Sequence, residues 1–155
     1  METTNFADIA AEFEERVRRH VWCSVATVDR AGRPRSRVLH PVWEGTTGWV
    51  TTRPDSFKAK HLAATPYLSC AYVDAERPLY VDCATEWVRE PAVKQRAWDY
   101  IKAQPGPYGF DPAFIWPSPE HESFGLLKLI PWRIQLTTAL AGQAPETTIW
   151  RPASA

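Results

Sequence analysis

The sequence predicts a mainly β, α+β fold in which a closed, mainly antiparallel barrel is flanked by helices at its ends. Three observations carry this. Short β-rich runs recur between turn clusters of Gly, Pro and Asp. Segments with apolar residues at helical spacing interrupt them, in the order α-β-β-β-α-β-β-α-β. The 155 residues also include 14 Pro and 8 Trp. Proline cannot donate to a ladder, so its abundance marks broken strands, edges and ordered loops, while Trp supplies large buried area to a small core or an interface.

Taken in order, Phe6, Ile9, Phe13 and Val17 lie at helical spacing among charges from Asn5 to Arg19. Thr4 or Asn5 can cap the first turn, which gives an amphipathic lid helix. Trp22 to Val28 is a β-rich run. Asp29-Arg30-Ala31-Gly32 then offers a turn acid and a Gly for positive φ, so a hairpin returns along Pro34 to Trp43. Alternation there sets Arg35, Arg37 and Leu39 on one face and Ser36, Val38 and His40 on the other, and Pro41 breaks the ladder or marks a bulge. Glu44 to Gly48 is a second turn and Trp49 to Thr52 a third strand, stopped by Pro54. Asp55 is placed to cap a helix from Ser56 to about Ala64, with Phe57, His61 and Leu62 inward and Thr65-Pro66 at its end.

Tyr67 to Val73 and Leu79 to Val88 read as strands around a turn at Asp74 to Pro78. Pro91 suits the first position of a helix striped by Val93, Ala97, Tyr100 and Ile101. Gln104 to Glu122 is a loop rich in Pro and Gly, yet aromatic through Tyr108, Phe110, Phe114 and Trp116. A loop so apolar is expected to pack down on something. Leu126 to Thr138 is a last strand interrupted by Pro131, and a tail through Ile149-Trp150 follows.

The length suits one domain over residues 1–155. Lys+Arg and Asp+Glu both count 18, so no overall basic field favours nucleic acid or an anionic membrane, and any cationic site must be local. The apolar runs fall short of the ~20 residues that span a bilayer, and the acidic N-terminus lacks a signal-peptide pattern. A soluble, cytoplasmic protein is expected. Cys23, Cys70 and Cys83 are odd in number, lie in strand-like runs and have neither CxxC nor zinc-finger spacing. Buried free thiols are therefore expected, without disulfide or metal. His121-Glu122 has no partner at ligand spacing and reads as loop surface.

The stretch from Arg35 to Pro66 gathers the chemistry. Arg37 can present a bidentate guanidinium, Thr51 and Thr52 offer hydroxyls, the helix beginning near Ser56 aims unpaired N–H groups at the same region, and Lys58 adds a point charge. Each feature alone is common on solvated strands and capped helices. Their order and closeness in the chain make a phosphate cradle.

Three pieces of this stretch carry a resemblance: RVL at Arg37 to Leu39, WVTT at Trp49 to Thr52, and SFKAKHLAATPYLSCAYV from Ser56 to Val73. With them the sequence resembles the flavin-binding split-barrel superfamily, the pyridoxamine-5′-phosphate-oxidase-like proteins, over roughly Ala7 to Val88 and more loosely at Leu129 to Leu136. The resemblance implies an antiparallel split β-barrel with flanking helices. It places the phosphate-binding arginine on Arg37, the strand hydroxyl on Thr52 and the helix lysine on Lys58, with Ser56 nearby. It also implies that the backbone of Val38, Leu39 and His40 lies along the isoalloxazine ring, that a hairpin side chain near Tyr80 reaches the flavin region, and that the cofactor sits between the two subunits of a homodimer. The aromatic loop would then be an interface or a substrate wall.

Two departures matter. The Arg-x-His-x-Arg motif that holds substrate phosphate in true pyridoxamine phosphate oxidases has no counterpart from Leu136 to Ala155, which speaks against vitamin B6 oxidation. Phe57 stands where the family often has Arg or Lys, with Lys60 or Arg53 as replacements. The expected function is an FMN-dependent oxidoreductase exchanging a hydride with a small, planar substrate; the catalytic side chains are not identified by sequence. The alternatives are a reductase using the deazaflavin F420, or a carrier or sensor that binds flavin or haem without turnover. His40 could border the ring and tune it, whereas His61 reads as a packing residue.

Overall fold

The computed structural model describes residues 1–153; Ser154 and Ala155, the end of the expected domain, lie outside the described residues. The elements are β1 (Glu2–Thr3), α1 (Ala10–Arg19), β2 (Cys23–Val28), β3 (Pro34–Leu39), β4 (Val42–Glu44), β5 (Thr47–Thr52), α2 (Phe57–Ala64), β6 (Tyr67–Tyr72), β7 (Leu79–Trp87), α3 (Pro91–Ala103), β8 (Gly125–Thr138) and β9 (Glu146–Trp150). Single 3-10 turns occupy Phe6–Asp8 and Pro112–Phe114. This is a sheet-dominated α+β fold with one nine-stranded sheet.

The sheet runs β1-β9-β8-β7-β6-β2-β3, antiparallel except where β1 lies parallel to β9, and β4 and β5 hang from the first half of β8. Long β8 organises it. Its Gly125–Leu129 part pairs with β5, its Ile134–Thr138 part with β9, and most of its length with β7. Pro131 does not interrupt β8, contrary to the expectation from sequence. The register against β7 shifts there, with Asp82 opposite Arg133 and Cys83 opposite Pro131, so a bulge next to the proline leaves Trp132 as the extra residue. The tail through Ile149-Trp150 forms β9.

The expected closed barrel is also corrected: the sheet is open. Among the described residues β3 pairs only with β2, and β5 only with β4 and β8. The cause is local. The return strand stops at Leu39, and beyond His40-Pro41 the chain pairs with β5 instead of continuing along β2.

Inside the curved sheet, Val25, Val42, Leu79, Val81, Leu127, Leu129 and Ile134 are buried, as are the free thiols of Cys23, Cys70 and Cys83. Helix α1 covers one end through Phe13 and Val17. Its 3-10 lead-in is capped by Asn5, and the buried Arg16 ties it to the carbonyls of Pro78 (2.8 Å) and Thr137 (2.7 Å). Ser56, not Asp55, caps α2, because Ser56 holds the extended backbone of a cap and Asp55 is engaged by Arg53. Phe57 was expected inward but is 79% exposed; the buried face of α2 is Ala59 and Leu62.

The aromatic loop packs down in part. Tyr108 and Trp116 are buried, the latter edge-on to Phe124 at 5.3 Å, while Phe114 is 90% exposed. The Tyr108 hydroxyl accepts from the Trp43 amide at 2.5 Å and lies 3.1 Å from the Trp43 carbonyl, joining the loop to β4.

Candidate functional site

Antiparallel pairing of β2 and β3 sets Val25 opposite Arg37, so Thr27, two residues further along β2, is the diagonal neighbour of Arg37. The guanidinium Nη1 of Arg37 donates to Thr27 Oγ1 at 2.8 Å. The same buried hydroxyl lies 2.9 Å from His61 Nδ1 and has its proton free to donate there. A second cation arrives from α2: Lys58 Nζ donates to Thr52 Oγ1 at 2.5 Å and to Ser56 Oγ at 3.4 Å. Strand β3, the end of β5 and the start of α2 therefore converge on one recess.

The electrostatics of this recess are unbalanced. Burial pushes the pKa of Lys58 down, and the nearby charge of Arg37 lowers it further. Arg37 is lowered by burial and then by Arg35. Their recorded side-chain bonds go to hydroxyls, and no carboxylate pairs with either cation among the described residues. Two desolvated like charges in one place disfavour each other unless an anion joins them. A forked guanidinium, an ammonium, hydroxyls and the N-terminal turn of a helix are a donor set able to bind an anion.

The same strands lead from the recess into an apolar pocket of about 530 Å³. Val38, Leu39 and His40 form one side, Val50 and Thr51 another, and the loop closes it with Phe110 and its neighbours. The His40 ring lies between Trp22, at 5.0 Å between centroids, and Phe110, at 5.2 Å. Its Nε2 is 2.8 Å from the Tyr108 carbonyl oxygen. Burial lowers the His40 pKa, opposed in part by that bond.

The structure thus brings Arg37, Thr52, Ser56 and Lys58 into one cradle and Val38, Leu39, His40 and Thr51 around the adjoining pocket. Tyr80 is not brought to either. It lies on β7 opposite Ala71 and Gln135, two strands away from β2. Sequence reasoning missed Thr27 and Trp22, and it assigned His61 to packing where the structure shows a polar bond to the cradle. Thr27 carries no local signal; only the β2–β3 register reveals it.

Arg53, offered as a replacement cation, is occupied by exposed Asp55 at 3.0 and 2.9 Å. Lys60 instead faces a wider cleft of about 870 Å³ on the other side of α2, together with Arg30, Arg89 and Lys94. Asp55, Glu120 and Glu122 also line it. Among the described residues no cluster of three or more His, Cys, Asp or Glu is placed to hold a metal, and no helix is long and apolar enough to cross a membrane.

Solved structures share this architecture at low sequence identity. A protein related to general stress protein 26, of the pyridoxinephosphate oxidase family, from Clostridium acetobutylicum superposes with a TM-score of 0.69 at 15% identity, covering 90% of this chain and 93% of its own. A pyridoxamine 5′-phosphate oxidase-related, FMN-binding protein from Nostoc punctiforme gives 0.61 at 16% identity, over 93% and 97%. A structure described as an F420 reductase gives 0.56 at 19% identity, over 78% and 94%. No curated protein sequence matches the chain. The family model described as pyridoxamine 5′-phosphate oxidase, however, matches residues 9–136, which takes in every strand from β2 to β7, all three helices and most of β8. The chain belongs to the pyridoxamine 5′-phosphate oxidase family.

Proposed function

We propose that the protein is a cytoplasmic, FMN-dependent oxidoreductase that works as a homodimer, its open sheet being one half of a split-barrel pair. The observation that carries this reading is the position of Arg37 and Lys58. Two partly buried cations without a carboxylate, Arg37 on the Thr27 hydroxyl and Lys58 on those of Thr52 and Ser56, stand beside an apolar pocket lined by the neighbouring Val38 and Thr51. A ligand with a phosphate at one end and a planar ring at the other fits that sequence of surfaces.

Bound FMN supplies hydride transfer at the ring. The chain does the rest. Arg37, Lys58, Thr52 and Ser56 would hold the phosphate, and Thr51 with the Val38–His40 segment would line the part of the site next to it. Val50, Phe110 and Trp116 keep water from it. Trp22, Val38, Phe114 and Ile115 are all more than half exposed around the pocket mouth. A second copy would cover them, and Tyr80, which does not reach its own cradle, would be offered to that copy. The substrate is a small, planar organic molecule stacked over the ring.

The wide cleft beyond α2 favours a second reading, the deazaflavin F420. Arg30, Lys60, Arg89 and Lys94 line it without a carboxylate ion pair among the described residues and could follow an anionic tail longer than that of FMN. The visible spectrum of the purified protein, with mass identification of what denaturation releases, decides between the two cofactors. Reduction of the bound ring by a nicotinamide or deazaflavin donor separates an oxidoreductase from a non-catalytic flavin or haem carrier. Arg37→Ala with Lys58→Ala should abolish FMN retention with the fold intact. Unchanged affinity in that double variant would show the phosphate assignment to be wrong.

A further inference from the structure

We propose that His40 is the polar pole of the aromatic pocket, its Nδ1 accepting a hydrogen bond from the N–H or O–H of a planar ring seated there. The pocket would thereby select aromatic ligands that carry such a donor. The inference rests on reading this pocket as the ring site, and it adds what that site demands of its occupant.

His40 Nε2 lies 2.8 Å from the carbonyl oxygen of Tyr108, and a carbonyl can only accept, so Nε2 carries a proton. The ring is held between Trp22 and Phe110, surroundings that disfavour a charged imidazolium. A neutral ring with its proton on Nε2 has a lone pair on Nδ1. No protein group bonds Nδ1 among the described residues. Nor is it sealed from solvent: the one buried side-chain polar atom without a partner among those residues is Arg16 Nε. Nδ1 is therefore not sealed inside the protein, and His40 is a lining residue of the aromatic pocket.

The remaining polar groups of that pocket do not duplicate the role. Asp111 is held by Lys102 at 2.8 Å and caps the Ala113 amide at 3.0 Å. Thr51 has a hydroxyl that turns either way. His40 offers an acceptor that cannot become a donor without taking up a proton. In an apolar pocket, a ligand without a donor leaves that lone pair dry and unpaired, which is where a hydrogen bond discriminates most.

Two sources of donor share this chemistry: a ring N–H of the cofactor, or an N–H or O–H of the substrate. Calorimetric titration with two probe pairs tests both. Lumiflavin against 3-methyllumiflavin removes the donor from a flavin ring that has no phosphate tail. 2-Naphthol against 2-methoxynaphthalene removes it from a simple aromatic. The wild type should prefer the donor-bearing member of at least one pair by about five- to tenfold, and the pair showing the preference names the source. His40→Phe, which keeps a planar ring but has neither nitrogen, should bind both members of the pair equally. With 15N-labelled histidine, the wild-type His40 Nδ1 should resonate as an unprotonated nitrogen and move upfield on adding the preferred probe; this readout needs no variant to fold.

No preference in either pair, a preference retained in His40→Phe, or a protonated Nδ1 each overturns the proposal. FMN retention is set by Arg37 and Lys58. If FMN binds and no preference is found, the His40 role alone falls. If 2-naphthol is preferred and FMN does not bind, the flavin reading alone falls.

Discussion

Lys58 reaches back across the first turn of α2 to place its ammonium 2.5 Å from the hydroxyl of Thr52, the last residue of β5. The contact joins a helix start to a strand end, and it holds a cation where burial and Arg37 both oppose its charge. Such a group serves a ligand better than it serves the fold. Lys58→Met keeps the stem and removes the charge. FMN affinity should fall by about tenfold to a hundredfold, the range of a lost charge-assisted hydrogen bond, while the melting temperature of the free protein stays level or rises. Flavin fluorescence titration and thermal unfolding measure the two. A lower melting temperature with unchanged affinity would make Lys58 a structural residue.

Gly125 stands opposite Thr52 in the β5–β8 ladder, and a Cβ there would lie 2.7 Å from the Thr52 carbonyl oxygen and 3.0 Å from the Trp87 ring. Backbone cannot rotate aside as a side chain can, so Gly125→Ala must push the end of β5 away from β8. We expect a loss of about 1–3 kcal/mol in stability by chemical denaturation, the usual range for overpacking. Because the displaced segment carries Thr52, FMN affinity should fall as well. A variant as stable as the wild type would show that β5 has slack at its end.

What the sequence made legible here was local. The Arg37 strand, the Lys58 helix and the turn around Gly32, whose φ is 77°, are each specified within a few residues. Thr27 was invisible because its role comes from lying diagonal to Arg37 across a hairpin, and Trp22 because its neighbour His40 is brought to it by the same register. The open sheet and β9 escaped for a similar reason. Whether a short segment such as Glu146–Trp150 becomes a strand depends on the free edge that the end of β8 offers it, a property of the partner and not of the segment. Tyr80 was named from resemblance alone, and the single chain leaves it on the far side of β6 from β2.

The Tyr108 hydroxyl fastens the aromatic loop to β4. Tyr108 meets both the amide and the carbonyl of Trp43, and burial pushes its pKa up to about 12, so it remains a neutral phenol throughout the physiological range. Tyr108→Phe leaves the buried Trp43 amide without that partner. The expected cost is about 1–3 kcal/mol, that of a buried group left unsatisfied, measured by denaturant unfolding. Since the Tyr108 carbonyl also anchors His40, ring binding in the pocket should weaken while phosphate binding at the cradle is kept. An equal loss at both would place the loop's role elsewhere.

Phe114 tests the second subunit. It is 90% exposed on a loop whose other aromatics are packed down, and it stands with Ile115, Val38 and Trp22 around the mouth of the pocket. Large apolar side chains gathered at a pocket rim mark a surface that something covers. If that cover is a second copy, a charge at Phe114 should break it without disturbing the core, since the side chain contributes little burial in one chain. Phe114→Glu should shift the protein from dimer to monomer in sedimentation equilibrium, keep the wild-type unfolding cooperativity, and weaken FMN binding at least tenfold through loss of the ring's outer wall. A wild type that is monomeric and still binds FMN tightly would mean that one chain completes the site, and the open pocket mouth would then be the route by which substrate enters.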